Sequence, residues 1–267
     1  MILCPELIYK FKWVTTDEEM KWFCEILEEH KIYFPRPSKL NDPMEANSVS
    51  YSLGVAGEGH HKQAGKTHPI IEEIQEEYRI LSFTTKPDSS LMWAHYANDY
   101  QGCCLIFSTK NAFNSVEPTI YSINSFHFEA QSATREELYQ PVHDSFLFKN
   151  TEWAYENEWR LIQRSEQEKI SFGDDLLGVI VGKNVKKKYR KKIIQICDKK
   201  MLPCFSTYIM NGKNCIQFIP IEKDNEKYIY TPYEIRIYMK EKEEQGKCKE
   251  NEIYLFYEMN DELIRQE

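Results

Sequence analysis

The sequence lacks the features that would tie a chain to a membrane, a polyanion or a metal. No segment approaches the roughly 20 apolar residues that cross a bilayer. Met1-Ile2-Leu3-Cys4-Pro5 has no basic region and no apolar run of signal length, so a cytoplasmic location is expected. Positive charge is in deficit: 34 Lys and Arg against 42 Asp and Glu leave −8, which removes any general attraction to nucleic acid or anionic lipid. The eight cysteines (Cys4, Cys24, Cys103, Cys104, Cys197, Cys204, Cys215 and Cys248) include no Cys-x-x-Cys pair, so reduced thiols are expected, not zinc ligands or disulfides. Cys103 and Cys104 lie in the apolar run Gly102–Phe107, where a thiol behaves as a small hydrophobe. The glycines of Leu176-Leu-Gly-Val-Ile-Val-Gly182 do not make the Gly-x-Gly-x-x-Gly of a dinucleotide fingerprint. Internal repeats are missing too.

What is present suits one cored domain with or without an appendage: 267 residues, 13% of them aromatic, which argues for a strand-rich interior. Leu7 to Trp13 alternates and reads as a strand; Thr16 or Asp17 caps a helix to about His30, with Trp22, Phe23, Ile26 and Leu27 on its buried side. Ile32 to Arg36 is a short strand whose flanking prolines set Arg36 at a rim. Asn41-Asp42-Pro43 is a turn former. Residues 54–69, with His60, His61 and His68, read as a mobile loop too poor in carboxylates and thiols for a metal. After a helix at Ile70–Arg79 comes the strand Ile80–Thr85, with Ser82 and Thr84 on one face. Asp88 or Ser89 then caps a helix carrying Trp93, His95 and Tyr96. Gly102–Ser108 is a buried strand, Ile120–Tyr121 and Phe126–Phe128 are strand candidates, and Thr134–Phe148 is a helix interrupted at Pro141. Leu176–Gly182 is a strand, and the basic run from Lys183 to Arg190 leads into a helix through Met201 with a solvated face. Two strands, Cys204–Ile209 and Cys215–Ile221, close the domain. Residues 222–267 form a charged, Tyr-rich extension with strand-like pieces at Tyr228–Met239 and Ile253–Met259.

The densest chemistry is Trp153-Ala154-Tyr155-Glu156-Asn157-Glu158-Trp159-Arg160. Read as a strand, it puts Glu156, Glu158 and Arg160 on one face and Trp153, Tyr155, Asn157 and Trp159 on the other. The aromatic face would pack on a core. The charged face would line a polar cleft, because unpaired charges are costly to bury, with Arg160 as the cation that keeps two neighbouring carboxylates ionised. Read as a helix, Glu156 and Arg160 form a solvated i,i+4 pair.

Three stretches, in order and spacing, resemble one bacterial domain family of unknown function over about residues 7–221. They are Leu40-Asn-Asp-Pro-Met-Glu45; Ser82-Phe-Thr-Thr85 with Leu91-Met-Trp-Ala-His-Tyr-Ala97 and Gly102-Cys-Cys-Leu-Ile-Phe107; and Trp153-x-Tyr-Glu-x-Glu-Trp-Arg160. The Tyr-Lys-Phe-Lys opening at residues 9–12 also fits. The layout is similar to the ADP-ribosyltransferase fold, which implies an α+β domain over residues 1–221 with split, mostly antiparallel sheets flanked by helices and holding NAD. On that resemblance Glu158 takes the place of the catalytic glutamate and Glu156 that of its companion two residues earlier. Ser82 and Thr84 match the hydroxyl-bearing strand, and Arg36 is the candidate for the NAD-binding residue of the first strand. Arg36 and the N–H groups near Ser89 would hold the pyrophosphate, Trp93 or Tyr96 would stack on a ring, and Arg160 would support Glu158. His95 is a further site candidate, and Asn41 and Asp42 belong to the motif turn. The implied activity is NAD-consuming, an ADP-ribosyltransferase or NAD glycohydrolase of the toxin or phage-defence kind. Its substrate is a nucleotide-type small molecule and its acceptor is open; no metal and no membrane take part, and nucleic acid enters only as an acceptor. The alternatives are a non-catalytic nucleotide-binding or protein-interaction module, and a Mg²⁺-dependent nuclease using Asp42, Glu45, Glu156 and Glu158.

Overall fold

Alternation along the first strand sets the layers. In β1 (Leu7–Lys12), Ile8 packs into one core while Tyr9 and Phe11 pack into another on the opposite face, as a period of two requires. The computed structural model describes residues 4–40, 49–52, 69–124, 126–129, 134–209, 216–221, 230–231, 233–235 and 237–238. After β1 the order is α1 (Asp17–Glu29), β2 (Lys31–Tyr33), β3 (Val49–Ser52), α2 (Pro69–Glu77), β4 (Tyr78–Thr84), α3 (Ser90–Tyr96) and β5 (Cys103–Ser108). Then come β6 (Glu117–Pro118), β7 (Ile120–Tyr121), β8 (Phe126–Glu129), α4 (Arg135–Ser145), β9 (Phe148–Lys149) and β10 (Glu158–Arg164). The chain continues through β11 (Lys169–Ser171), β12 (Leu176–Val181), α5 (Lys187–Lys200), β13 (Cys204–Ile209) and β14 (Ile216–Pro220), with 3-10 turns at Pro37–Lys39 and Thr151–Glu156.

Eight strands form one sheet in the order β14-β13-β12-β5-β1-β4-β10-β6. All its pairings are antiparallel except β12 with β13, which α5 connects as a crossover. The α+β class and the antiparallel predominance agree with the sequence reading. The expected split does not: the sheet is continuous, although β1 and β4 share only one paired position, Tyr9 with Thr84. Three two-stranded pairs, β2–β11, β3–β8 and β7–β9, lie outside it.

One face carries α1 and α5, with Phe23, Leu27, Leu81, Leu105, Phe107 and Ile193 in its core; the other carries α3, with Trp93, Cys104, Ile106 and Phe205. A capping box fixes the start of α1, with Glu19 N on Thr16 Oγ1 and Thr16 N on Glu19 Oε2, both 3.1 Å. Its buried stripe is Met20, Phe23, Cys24, Ile26 and Leu27. Trp22 falls outside that stripe and is 54% exposed, against expectation. Pro141 does not interrupt α4, which continues to Ser145. Beyond residue 222, Tyr230 exchanges main-chain hydrogen bonds with Phe218 at 2.8 and 2.6 Å. Tyr230, Ile235 and Tyr238 pack with Phe205, and residues 233–235 are helical where a strand was expected. Residues 253–259, the other strand-like piece, lie outside the described residues. No described helix is long and apolar enough to cross a membrane.

Candidate active site

A cleft of about 250 Å³ opens where β1 and β4 part, lined by Tyr9 and Lys10 of β1, Ser82 and Thr84 of β4, Tyr96 of α3, and Lys149, Trp153, Glu156 and Glu158. The pairing explains the opening: β1 runs beside β5 from Leu7 to Lys12 and β4 beside β10 from Tyr78 to Thr84, but β1 and β4 meet only at Tyr9. The Ser82 carbonyl, next in the ladder on that side, takes the Lys10 ammonium instead, at 2.7 Å.

Glu158 stands on β10 opposite Thr84, and Arg160 opposite Ser82, so all four side chains share one face of the sheet. Arg160 grips Glu158 through both oxygens, Nε to Oε1 at 2.9 Å and Nη2 to Oε2 at 2.7 Å, the fork geometry that makes Arg–carboxylate pairs strong. Lys149 Nζ adds a third contact at 3.1 Å, and the Ser82 hydroxyl bonds the same carboxylate. Burial alone would raise the Glu158 pKa, but Arg160 and Lys149 outweigh it and hold the carboxyl at about 2. The Glu158 amide donates to the Tyr121 hydroxyl at 2.8 Å.

Glu156 reaches the same place by another route. The eight-residue stretch is not one strand: Thr151–Glu156 is a 3-10 turn, Asn157 turns left-handed at φ 45°, and β10 starts only at Glu158. Asparagine tolerates that conformation better than most residues, and the Thr84 hydroxyl latches the turn by donating to the Glu156 carbonyl. The Glu156 carboxylate then accepts from Lys149 Nζ at 2.5 Å and from the Tyr96 hydroxyl. One ammonium therefore joins two carboxylates. Burial, assisted by the charge of Glu158, pushes the Glu156 carboxyl up, against the pull of Lys149. Burial and the bond to Glu156 push the Tyr96 phenol up as well.

Of the residues expected in the site, Glu156, Glu158, Ser82, Thr84 and Tyr96 line the cleft. Others are elsewhere or otherwise engaged. Arg36 is turned to α2, bonded to the Glu76 carboxylate and carbonyl, both at 2.8 Å. Ser89 is an N-cap for Met92 N at 3.3 Å, on a helix of only seven residues. Trp93 is fully buried, with Nε1 on the Pro87 carbonyl at 2.7 Å and its ring stacked on Tyr100, and so cannot stack on a ligand. His95 is exposed, with Nδ1 3.0 Å from the Tyr155 hydroxyl. Arg160 is fully buried and committed to Glu158 and to the Phe146 carbonyl at 2.5 Å, so it positions a carboxylate and holds no ligand. Thr84 is spent on the latch and on Lys86 N at 3.0 Å. Asn41, Asp42 and Glu45 lie outside the described residues, as do His60, His61 and His68. Among the described residues, no three His, Cys, Asp or Glu side chains are grouped as a metal site needs.

Three residues lining the cleft, Lys149, Trp153 and Lys10, fall outside the expected site. Lys149 is the second cation of the carboxylate pair, with its ammonium 5.0 Å from the ring centre of Trp153. Trp153, expected on the core by alternation, lines the cleft instead, leaving Trp159 of the same stretch packed against the core. Lys10 and Lys12 lie on one face of β1, and burial holds them at about 7 and about 8 respectively. The available signal was charge count: two carboxylates two residues apart need two cations, and Arg160 is one.

Residues 92–161, which run from α3 into β10, match a family model described as a protein of unknown function (DUF2971). No curated protein and no solved structure matches the chain.

Proposed function

We propose that the cleft binds NAD and breaks its nicotinamide–ribose bond, as an ADP-ribosyltransferase or an NAD glycohydrolase does. The reading rests on one observation: two carboxylates share a lysine, and their environments drive their pKa values apart, Glu158 down to about 2 and Glu156 up. Such divergence marks a division of acid–base labour. The bond from ribose C1′ to the pyridinium nitrogen breaks with its electron pair going to nitrogen, so nicotinamide leaves neutral and C1′ becomes oxocarbenium-like. An ionised Glu158 hydrogen-bonded to a ribose hydroxyl stabilises that cation more than the ground state, and only this difference speeds the step. Water or an acceptor hydroxyl then attacks C1′. Its proton passes to an ionised Glu156, whose raised proton affinity suits it to the task, and from there to solvent. A volume of about 250 Å³ suits the nicotinamide riboside end of the molecule more than the whole.

The test is nicotinamide release from NAD by the wild type and by Glu158→Gln. The variant should be slower by about 10²–10³; equal rates would remove Glu158 from the mechanism. One observation favours a second reading, a non-catalytic nucleotide-binding module: Glu158 is already saturated by Arg160, Lys149 and Ser82, as a structural ion pair would be. NAD binding without nicotinamide release selects it.

A further inference from the structure

Charge in the cleft is unequal. Arg160 and Lys149 offset Glu158 and Glu156, which leaves Lys10 and Lys39 as additional cations among its lining residues. Lys39 is exposed, but Lys10 is half-buried, and among the described residues its hydrogen-bond acceptor is a main-chain carbonyl, not a carboxylate. A partly desolvated ammonium whose hydrogen-bond acceptor is a neutral carbonyl is costly, and an anion bonded directly to it would relieve that cost. Apolar walls beside it, from Tyr9, Tyr33, Leu40 and Trp153, suit the ring of a nucleotide more than a bare inorganic ion.

We propose that Lys10, with Lys39, is the phosphate-binding group of this cleft, and that the anion of a nucleotide is taken up together with a proton. The inference rests on the reading of the cleft as a nucleotide site and assigns to Lys10 the role that Arg36 does not fill. The coupling follows from the surroundings. Lys10 feels Lys12 on its own strand and Glu158, Glu156 and Lys149 across the cleft, whose lining also carries the Lys39 ammonium and the phenols of Tyr9, Tyr33 and Tyr96. In the free protein burial holds its ammonium at about 7, with Lys12 next in weight and the two glutamates opposing. A bound phosphate favours the charged amine, so above neutrality each bound anion draws a proton onto Lys10.

ADP-ribose is the probe, because its pyrophosphate diester does not titrate near neutrality. Calorimetry of the wild type at pH 8 in two buffers of different ionisation enthalpy should show uptake of up to one proton. Affinity should weaken by up to tenfold per pH unit above 7. Lys10→Met should bind roughly 10–100-fold more weakly and lose the proton uptake. Wild-type binding without proton uptake, or no binding, overturns the inference even if Lys10→Met fails to fold. Nicotinamide release measured in parallel separates the two proposals. Release with proton-independent ADP-ribose binding sinks the Lys10 assignment alone; proton-coupled binding without release sinks only the NAD-cleaving reading.

Discussion

In the β5–β12–β13 part of the sheet the buried strand residues are mostly apolar, among them Cys103, Cys104, Leu105, Ile106, Val179, Ile180 and Phe205; in β4 and β10 they include Arg79, Thr84, Glu158 and Arg160 at the same depth. Both parts exclude water. In the first, burial makes chemistry inert: it pushes the thiols of Cys103 and Cys104 up, away from the reactive thiolate. In the second, burial makes chemistry selective, because each charge survives only with a partner at a fixed place. Arg79 spends its guanidinium on the carbonyls of Phe34, Ser165 and Glu166, at 3.0–3.1 Å, and is structural. Glu158, Glu156 and Lys149 differ from it because they border a cavity. Depth alone therefore does not make a site; a matched charge beside open space does.

The largest effect should come from breaking the matched half. Arg160→Met leaves Glu158 buried with Lys149 as its remaining cation, and should lower stability by about 3–5 kcal/mol in urea denaturation at pH 7. A loss under about 1 kcal/mol would mean the pair is not the buried anchor described. Leu105→Ala in the apolar half should cost about 2–5 kcal/mol, a similar size from cavity formation. Acid separates them. Glu158 titrates at about 2 when folded, below its ordinary 4.5, so its stabilisation is present above pH 4.5 and is lost as pH falls towards 2. The gap between Arg160→Met and wild type should narrow across that window, while that of Leu105→Ala stays constant.

How much of this was legible in the sequence follows the same division. The apolar half was readable because period two and β-branched content act locally: Cys103–Ser108 and Leu176–Val181 are strands where the pattern put them. The capping box at Thr16 is equally local. Glu158, Arg160, Ser82 and Thr84 were readable as one face because strand pairing preserves the alternation. Glu156 reaches the cleft not by strand alternation but through a 3-10 turn, and in the sequence nothing but Asn157 signals the left-handed break before β10. Lys149 was illegible: a lone lysine in a two-residue strand has no periodic neighbours, and its role depends on a fold-level meeting with two glutamates. Trp93 and Trp153 exchanged roles for the related reason that an aromatic's side of a short helix or turn is set by tertiary packing.

The smallest expected effect bears on Lys10, whose hydrogen-bond acceptor among the described residues is a main-chain carbonyl. In the unfolded chain Lys10 keeps its proton to about 10.5, while in the folded protein it releases it at about 7. Between those values the unfolded state binds more protons, so stability rises with pH. Lys10→Met should flatten that rise and stabilise the protein at pH 7 by on the order of 1 kcal/mol, since losing the bond to the Ser82 carbonyl offsets part of the relief. A stabilising change of this sign, opposite to that of Arg160→Met, identifies Lys10 as a group held against its preference, as a ligand-binding residue on a strained site is. Thermal unfolding of the two proteins at pH 6, 7, 8 and 9 checks it: parallel curves, or a Lys10→Met curve lying below wild type throughout, would make Lys10 an ordinary structural lysine.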